Sequence, residues 1–124
     1  MIVGFGLDAV FIPRFETWAA NPKLLERFFH PDEIRVCGER GKGASASLAV
    51  RFAAKEAFGK ALGTGLAGFG LKDVALKNRS GEAPVLELFG KALAAMRKKG
   101  AAKAHVSLSH ERDMAFAAVI LESV

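Results

Sequence analysis

The stretch Arg51-Phe52-Ala53-Ala54-Lys55-Glu56-Ala57-Phe58-Gly59-Lys60-Ala61-Leu62-Gly63-Thr64-Gly65 limits the folds open to this chain more than any other. Its first twelve residues are rich in Ala, Lys, Glu, Leu and Phe and hold no Pro, which predicts a helix from about Ser45 to Leu62. At about 100° per residue, Val50, Ala54, Ala57 and Ala61 share one face, with Phe58 and Leu62 beside them. Phe52, Glu56 and Lys60 form a ridge on roughly the opposite side. Apolar residues in two sectors predict a helix contacted on several sides, not one lying on a surface. Charged groups on such a helix need partners. The ordinary arrangement is an i,i+4 pair, Glu56 with Lys60, on a solvated face.

The chain has 124 residues, enough for one domain with a real core, here residues 1–124. Hydrophobic residues at 51% and charged residues at 25% exclude an intrinsically disordered chain. No apolar run reaches the ~18 residues of a membrane span, and Met1-Ile2-Val3-Gly4 lacks the basic start of a secretory signal. Cys37 is the single cysteine, so no internal disulfide forms and a cytoplasmic location is expected. A net charge of +5 favours an acidic partner: nucleic acid, a phosphorylated small molecule or an acidic protein.

Ile2 to Ile12 reads as a strand loosened by Gly4-Phe5-Gly6. Pro13 suits the first position of a helix over Arg14 to Ala20. Asn21-Pro22 interrupts it, Lys23 to Phe29 resumes it, and Pro31 to Arg35 begins another short helix. Gly38 to Gly43 reads as a loop before the long helix. Gly63-Thr64-Gly65-Leu66-Ala67-Gly68 spells G-x-G-x-x-G but follows a helix, whereas the dinucleotide fingerprint follows a strand and opens a helix. It is therefore read as a helix end and a glycine-rich loop. Leu71 to Lys77 and Pro84 to Phe89 form an expected hairpin around the turn Asn78-Arg79-Ser80-Gly81. Gly90 to Lys99 is a helix with a basic end. Ala104 to Ser109 and Met114 to Leu121 form a last hairpin around Glu111-Arg112-Asp113. The order of strand, helices, hairpin, helix and hairpin predicts a compact α+β domain, its long central helix packed on an antiparallel sheet.

Asp8 stands at the end of an apolar strand, and a helix-capping role is its plainest reading. His105, Ser107 and Ser109 alternate onto one face of a strand, with Val106, Leu108 and His110 on the other. A lone His105 is ordinarily a satisfied, half-buried histidine. No H-E-x-x-H, Cys–His cluster or Gly-x-Ser-x-Gly is present, which argues against zinc and against a nucleophile elbow. Two separated carboxylates, Asp8 and Glu56, with Lys60 near the second, suit Mg²⁺ held together with substrate phosphates. On a basic domain this set points to handling of a pyrophosphate.

Gly6-Leu7-Asp8 followed after five residues by Arg14 resembles the G-x-D-x(5)-R motif of holo-[acyl-carrier-protein] synthases, the small bacterial class of 4′-phosphopantetheinyl transferases. Arg51 to Ala61 resembles their second motif, A-A-K-E-A-x-x-K-A, almost letter for letter, and Gly63-Thr64-Gly65 follows as in the family. Phe29-His30-Pro31-Asp32-Glu33 resembles their F-[ST]-x-x-E segment, and His105-Val106-Ser107-Leu108-Ser109-His110 their H-V-S-[LI]-S-H. The matches run from Gly6 to Ala118 in the family's order.

The resemblance implies transfer of the 4′-phosphopantetheine arm of coenzyme A to a serine of apo acyl carrier protein, with release of 3′,5′-ADP, in support of fatty acid biosynthesis. It implies Mg²⁺ bound by Asp8 and Glu56, Lys60 on the phosphates, and Arg51, Gly63, Thr64, Gly65 and His105 on the nucleotide. It also implies a homotrimer with active sites at subunit interfaces. Arg14 would grip the acidic carrier protein. Glu56, Glu33 or a metal-bound water would serve as the base. Two departures stand out. His30 replaces the usual Ser or Thr before the Glu33 helix and is a weaker cap. Of the usual basic side chains before the long helix, only Lys42 is offered. Transfer to polyketide or peptide carrier domains is the alternative within this class. A basic RNA-binding module is a remoter one, since it calls for exposed aromatics interleaved with Lys and Arg, whereas most Phe here lie in apolar segments.

Overall fold

The computed structural model describes residues 1–79 and 81–124. The chain runs through strand β1 (Ile2–Phe11), a 3₁₀ turn (Ile12–Phe15) and helices α1 (Glu16–Ala19), α2 (Pro22–Phe28) and α3 (Pro31–Gly38). A 3₁₀ turn (Gly41–Gly43) leads into the long α4 (Ala44–Leu62), and another (Leu71–Asp73) precedes strands β2 (Val74–Lys77) and β3 (Val85–Leu88). Helix α5 (Gly90–Lys98) and strands β4 (Lys103–Glu111) and β5 (Met114–Glu122) complete it. β1, β5 and β4 form one antiparallel sheet in that order, and β2 pairs with β3 in a separate hairpin. Together they make the expected α+β architecture. The Ser80 position of the expected turn lies outside the described residues.

α4 is buried almost all round, as its two apolar sectors required: Leu48, Ala49, Ala53, Ala54, Ala57 and Phe58 are fully enclosed. Its small face lies on β1 at backbone distance. A methyl group placed on Gly6 would stand 1.9 Å from the Ala57 carbonyl oxygen, and one on Gly4 would stand 2.1 Å from that of Ala61. These glycines therefore do not loosen the strand, which pairs with β5 in regular register from Gly4 onward. They form the groove that admits the helix. Gly6→Ala should destabilise at the upper end of the ~1–3 kcal/mol typical of overpacking. Gly38→Ala, where an added methyl meets nothing within 4 Å, is the control and should be neutral or mildly stabilising. Urea midpoints of the two variants check this.

α3 and α4 are joined by a buried polar seam. Ser47, Arg51 and Lys55 recur at i, i+4 and i+8 on α4, and Glu33 and Cys37 face them at i and i+4 on α3. Lys55 Nζ donates to Glu33 Oε1 at 2.6 Å, to Leu71 O at 2.9 Å and to Val74 O. Glu33 also accepts from His30 N at 3.0 Å and from Leu76 N at 3.1 Å, so both its oxygens are engaged. Cys37 Sγ lies 3.1 Å from Ser47 Oγ, and burial pushes its thiol pKa up, which leaves it unreactive.

Three expectations change. Arg14 to Ala20 is not one helix: a 3₁₀ turn and a four-residue helix stand there, with no side-chain cap to start a longer one. The strand expected from Leu71 begins at Val74, because Leu71–Asp73 wind into a 3₁₀ turn. His30 caps its helix well. Its Nδ1 accepts from Asp32 N at 3.1 Å, replacing a hydroxyl oxygen, while Glu33 returns the bond to His30 N.

Candidate active site

β1 and the second half of α4 run side by side, and this brings Asp8, Glu56 and Lys60 together. Asp8 alternates onto the inner face of β1 between Gly6 and Val10 and is only 8% exposed. It caps no helix. Lys60 Nζ donates to Asp8 Oδ1 at 2.9 Å and to Leu7 O at 3.0 Å. The expected Glu56–Lys60 pair is thus replaced by Asp8–Lys60. A carboxylate already desolvated against the helix is the stronger partner for a mobile ammonium. Hydrogen bonding and charge from Asp8 raise the Lys60 pKa. The second Asp8 oxygen, Oδ2, is buried and has no hydrogen-bond partner among the described residues. Burial pushes the Glu56 carboxyl above its usual range, and the nearby Asp8 charge adds to that against the opposing charges of Arg14 and Lys60.

An orphaned carboxylate oxygen beside a second carboxylate with a raised pKa is the signature of a place where positive charge is short. Among the described residues no three His, Cys, Asp or Glu side chains converge. Asp8 and Glu56 are two carboxylates, a number that suits Mg²⁺ when phosphates and water complete its shell.

After Lys60 the helix ends at Gly63, whose φ of 83° is a left-handed C-cap. Gly65 N then bonds Gly59 O at 3.0 Å, which folds Gly63-Thr64-Gly65 back over the last turn. Arg14, exposed, lies against the rings of Phe15, Trp18 and Phe52 at 5.2, 5.6 and 5.3 Å. Among the described residues it forms no ion pair with the neighbouring acids Asp8 and Glu16.

Arg51 occupies a different place. It is 2% exposed, its Nη1 donates to Ser47 Oγ at 2.7 Å and to Ser47 O at 3.2 Å, and its Nε has no partner among the described residues. No carboxylate among the described residues is in ion-pair contact with it. It lines a cavity of about 390 Å³ with Arg40, Ser47, Asn78, Ser109 and His110. An enclosed guanidinium without a counter-charge, joined by a second arginine, fits an anion.

The structure does not bring His105 to this cavity. It is exposed on the outer face of β4, its Nε2 2.9 Å from Glu122 Oε1, a contact that lowers the Glu122 pKa. His110, at the far end of the same strand, lines the cavity instead, and Arg40 does so where Lys42 was expected. Both faces of β4 reach the cavity, through Ser109 and His110, so what strand alternation could not tell is which end of the strand meets the start of α4. Glu33, an open possibility as base, is occupied in the α3–α4 seam.

The comparisons with known proteins agree with this geometry. Residues 4–119 match the family model described as the 4′-phosphopantetheinyl transferase superfamily. The chain is 56% identical to the holo-[acyl-carrier-protein] synthase of Treponema denticola over 122 residues, which covers 98% of this chain and 99% of that one. Its fold matches the crystal structure of the holo-[acyl-carrier-protein] synthase from Neisseria meningitidis with a TM-score of 0.85 at 31% identity, over 99% and 100% of the two chains. It also matches the holo-(acyl-carrier-protein) synthase of Bacillus anthracis in complex with coenzyme A (3′,5′-ADP), with a TM-score of 0.81 at 33% identity over 100% and 99%. With the motif residues converging and the match spanning nearly the whole chain, this protein belongs to the 4′-phosphopantetheinyl transferase superfamily.

Proposed function

We propose that the chain, as a single domain over residues 1–124, is a holo-[acyl-carrier-protein] synthase that moves 4′-phosphopantetheine from coenzyme A to a serine of apo acyl carrier protein, in support of fatty acid biosynthesis. The observation that carries this reading is the buried, unpartnered Asp8 Oδ2 beside Glu56 and Lys60. The serine oxygen attacks the phosphorus that bears pantetheine. The bond from that phosphorus to the bridging oxygen breaks, and the electron pair leaves on 3′,5′-ADP. Asp8 and Glu56 would hold Mg²⁺, which supplies charge neutralisation on the pyrophosphate. Lys60 adds a fixed cation on the same side. Glu56 or a metal-bound water would receive the serine proton, and the raised pKa of Glu56 supports it as an acceptor. Arg51, with Arg40 and His110, fits the nucleotide phosphates, and Gly63 to Gly65 offer close backbone. Incubation with coenzyme A, Mg²⁺ and apo acyl carrier protein, read by intact mass, should show one added phosphopantetheine. No gain in mass, or an equal gain without Mg²⁺, would refute it.

Arg14 supports charge-steered docking of the acidic acceptor, since its aromatic bed holds the guanidinium outward. Arg14→Glu should raise KM for the carrier protein about tenfold and leave KM for coenzyme A unchanged. Wild-type KM for the carrier should climb with ionic strength. Equal shifts in both constants, in kinetics varying each substrate separately, would make Arg14 structural.

The outer face of β1 exposes Phe5 at 60%, Leu7 at 55% and Phe11 at 51%, with Ile120 and Phe116 of β5 on the same face. So large an apolar strip on a 13.2 kDa chain calls for a cover. A homotrimer, as the family resemblance implies, provides one. Light scattering should give three times the chain mass, and Leu7→Glu should yield monomers with little activity. A fully active wild-type monomer would exclude the trimer. Among the described residues no helix is long and apolar enough to cross a membrane, and the cytoplasm is the proposed location.

A further inference from the structure

Among the described residues, Ser47 takes both hydrogen bonds that the Arg51 guanidinium makes, Nη1 donating to its Oγ at 2.7 Å and to its carbonyl oxygen at 3.2 Å. Ser47 stands one helical turn before Arg51 on α4 and is itself 6% exposed. Arginine only donates, so Ser47 Oγ is the acceptor in that contact. The hydroxyl's other partner is the Cys37 thiol, 3.1 Å away. Burial keeps that thiol in its neutral form, so it brings no counter-charge to Arg51. With Nη1 tied back to Ser47, the edge of the guanidinium left over is Nε with Nη2. Its Nε is buried and has no partner among the described residues. Two parallel donors on one planar edge match two oxygens of a phosphate.

We propose that Ser47 is the positioning residue for Arg51: by holding Nη1 it presents the Nε–Nη2 edge to a phosphate of the nucleotide. The inference rests on the transferase reading and on the part given there to Arg51. It goes beyond both, because a neutral side chain then tunes the affinity for coenzyme A. Ser47 Oγ already has two partners, so it works through the guanidinium and not on the ligand. Free of Ser47, the long arginine side chain would sample many rotamers, and binding would have to order it. Held by Ser47, the fork is set before the nucleotide arrives. The plainer role for Ser47 is a structural one, joining α3 to α4 through Cys37. That role predicts lost stability and no dependence on Arg51.

Ser47→Ala should raise KM for coenzyme A about tenfold, the size of one lost hydrogen bond to a charged group. It should move kcat and KM for the carrier protein far less. Ser47→Thr keeps the hydroxyl and should recover most of the change. Arg51→Met keeps the apolar stem and should raise KM for coenzyme A at least as far. In that background Ser47→Ala should add nothing. Calorimetric titration of 3′,5′-ADP into the full chain reads the same cycle without turnover. A Ser47→Ala variant with the parent's KM and affinity would overturn the proposal. So would an equal loss in the Arg51→Met background, since Ser47 would then act on the fold or directly on the ligand. The cycle decides alone where the extra methyl of threonine does not fit. If Arg51→Met binds 3′,5′-ADP as well as the parent does, the nucleotide role of Arg51 fails and this proposal with it. If coenzyme A yields no transfer, the enzyme reading fails by itself, and the titration still decides on Ser47.

Discussion

Glu56→Gln should lower the transfer rate on the order of 10²–10³-fold without unfolding the chain, the size seen when one preorganised electrostatic partner is removed from an active site. Glutamine keeps the shape and one oxygen donor but cannot carry the charge that Mg²⁺ needs or accept the serine proton. Stability should move the other way. The folded-state pKa of Glu56 is raised, first by burial and then by Asp8. Its protonated form therefore stabilises the fold below the ordinary glutamate range, and that contribution is lost as pH rises through the folded pKa. Glutamine never ionises, so at neutral pH and without Mg²⁺ the variant should be as stable as the parent or more so. Added Mg²⁺ should stabilise the parent and leave the variant unmoved. Protonation of Glu56, favoured in the metal-free fold, competes with Mg²⁺, so the acid limb of wild-type turnover should move to lower pH as Mg²⁺ is raised. Steady-state rates across pH, with melting curves at varied Mg²⁺, check all three. A variant with near-wild-type rate at limiting Mg²⁺ would remove Glu56 from the site.

Lys55→Ala should cost about 3–5 kcal/mol, the usual penalty for removing one partner of a buried ion pair. Lys55 is fully enclosed and holds Glu33 together with the Leu71 and Val74 carbonyls, while its stem passes Phe29 with Nζ 5.3 Å from the ring centre. Burial pushes its pKa down and the Glu33 charge opposes that. The pair ties α3 to α4 and to the start of β2, so its loss leaves a carboxylate and two carbonyls without their donor. If the unpaired charge is the cause, Lys55→Met with Glu33→Leu should recover roughly half of the deficit or more. Urea denaturation of the single and double variants measures it. A double variant no better than Lys55→Ala would place the cost in lost packing instead.

The sequence by itself determined the elements whose causes are local. Ala and Leu without Pro made α4, Gly63 ended it at a left-handed cap, and the alternation around Glu111-Arg112-Asp113 made the β4–β5 hairpin. It also determined the motif residues, because Asp8, Glu56 and Lys60 stand at the spacing of the transferase motifs. Only the tertiary structure decided which of them meet. β1 pairs with β5 across more than a hundred residues of sequence, and nothing local encodes such a pairing. Yet it is what sets Asp8 against α4 and gives the Lys60 ion pair to Asp8 rather than Glu56. The same docking gave Gly4 and Gly6 their purpose, put His110 rather than His105 beside Arg51, and chose Arg40 over Lys42. Helices and turns follow from each residue's own conformational preferences and its near neighbours. The partner of a charged side chain follows from which desolvated opposite charge the folded backbone brings within reach.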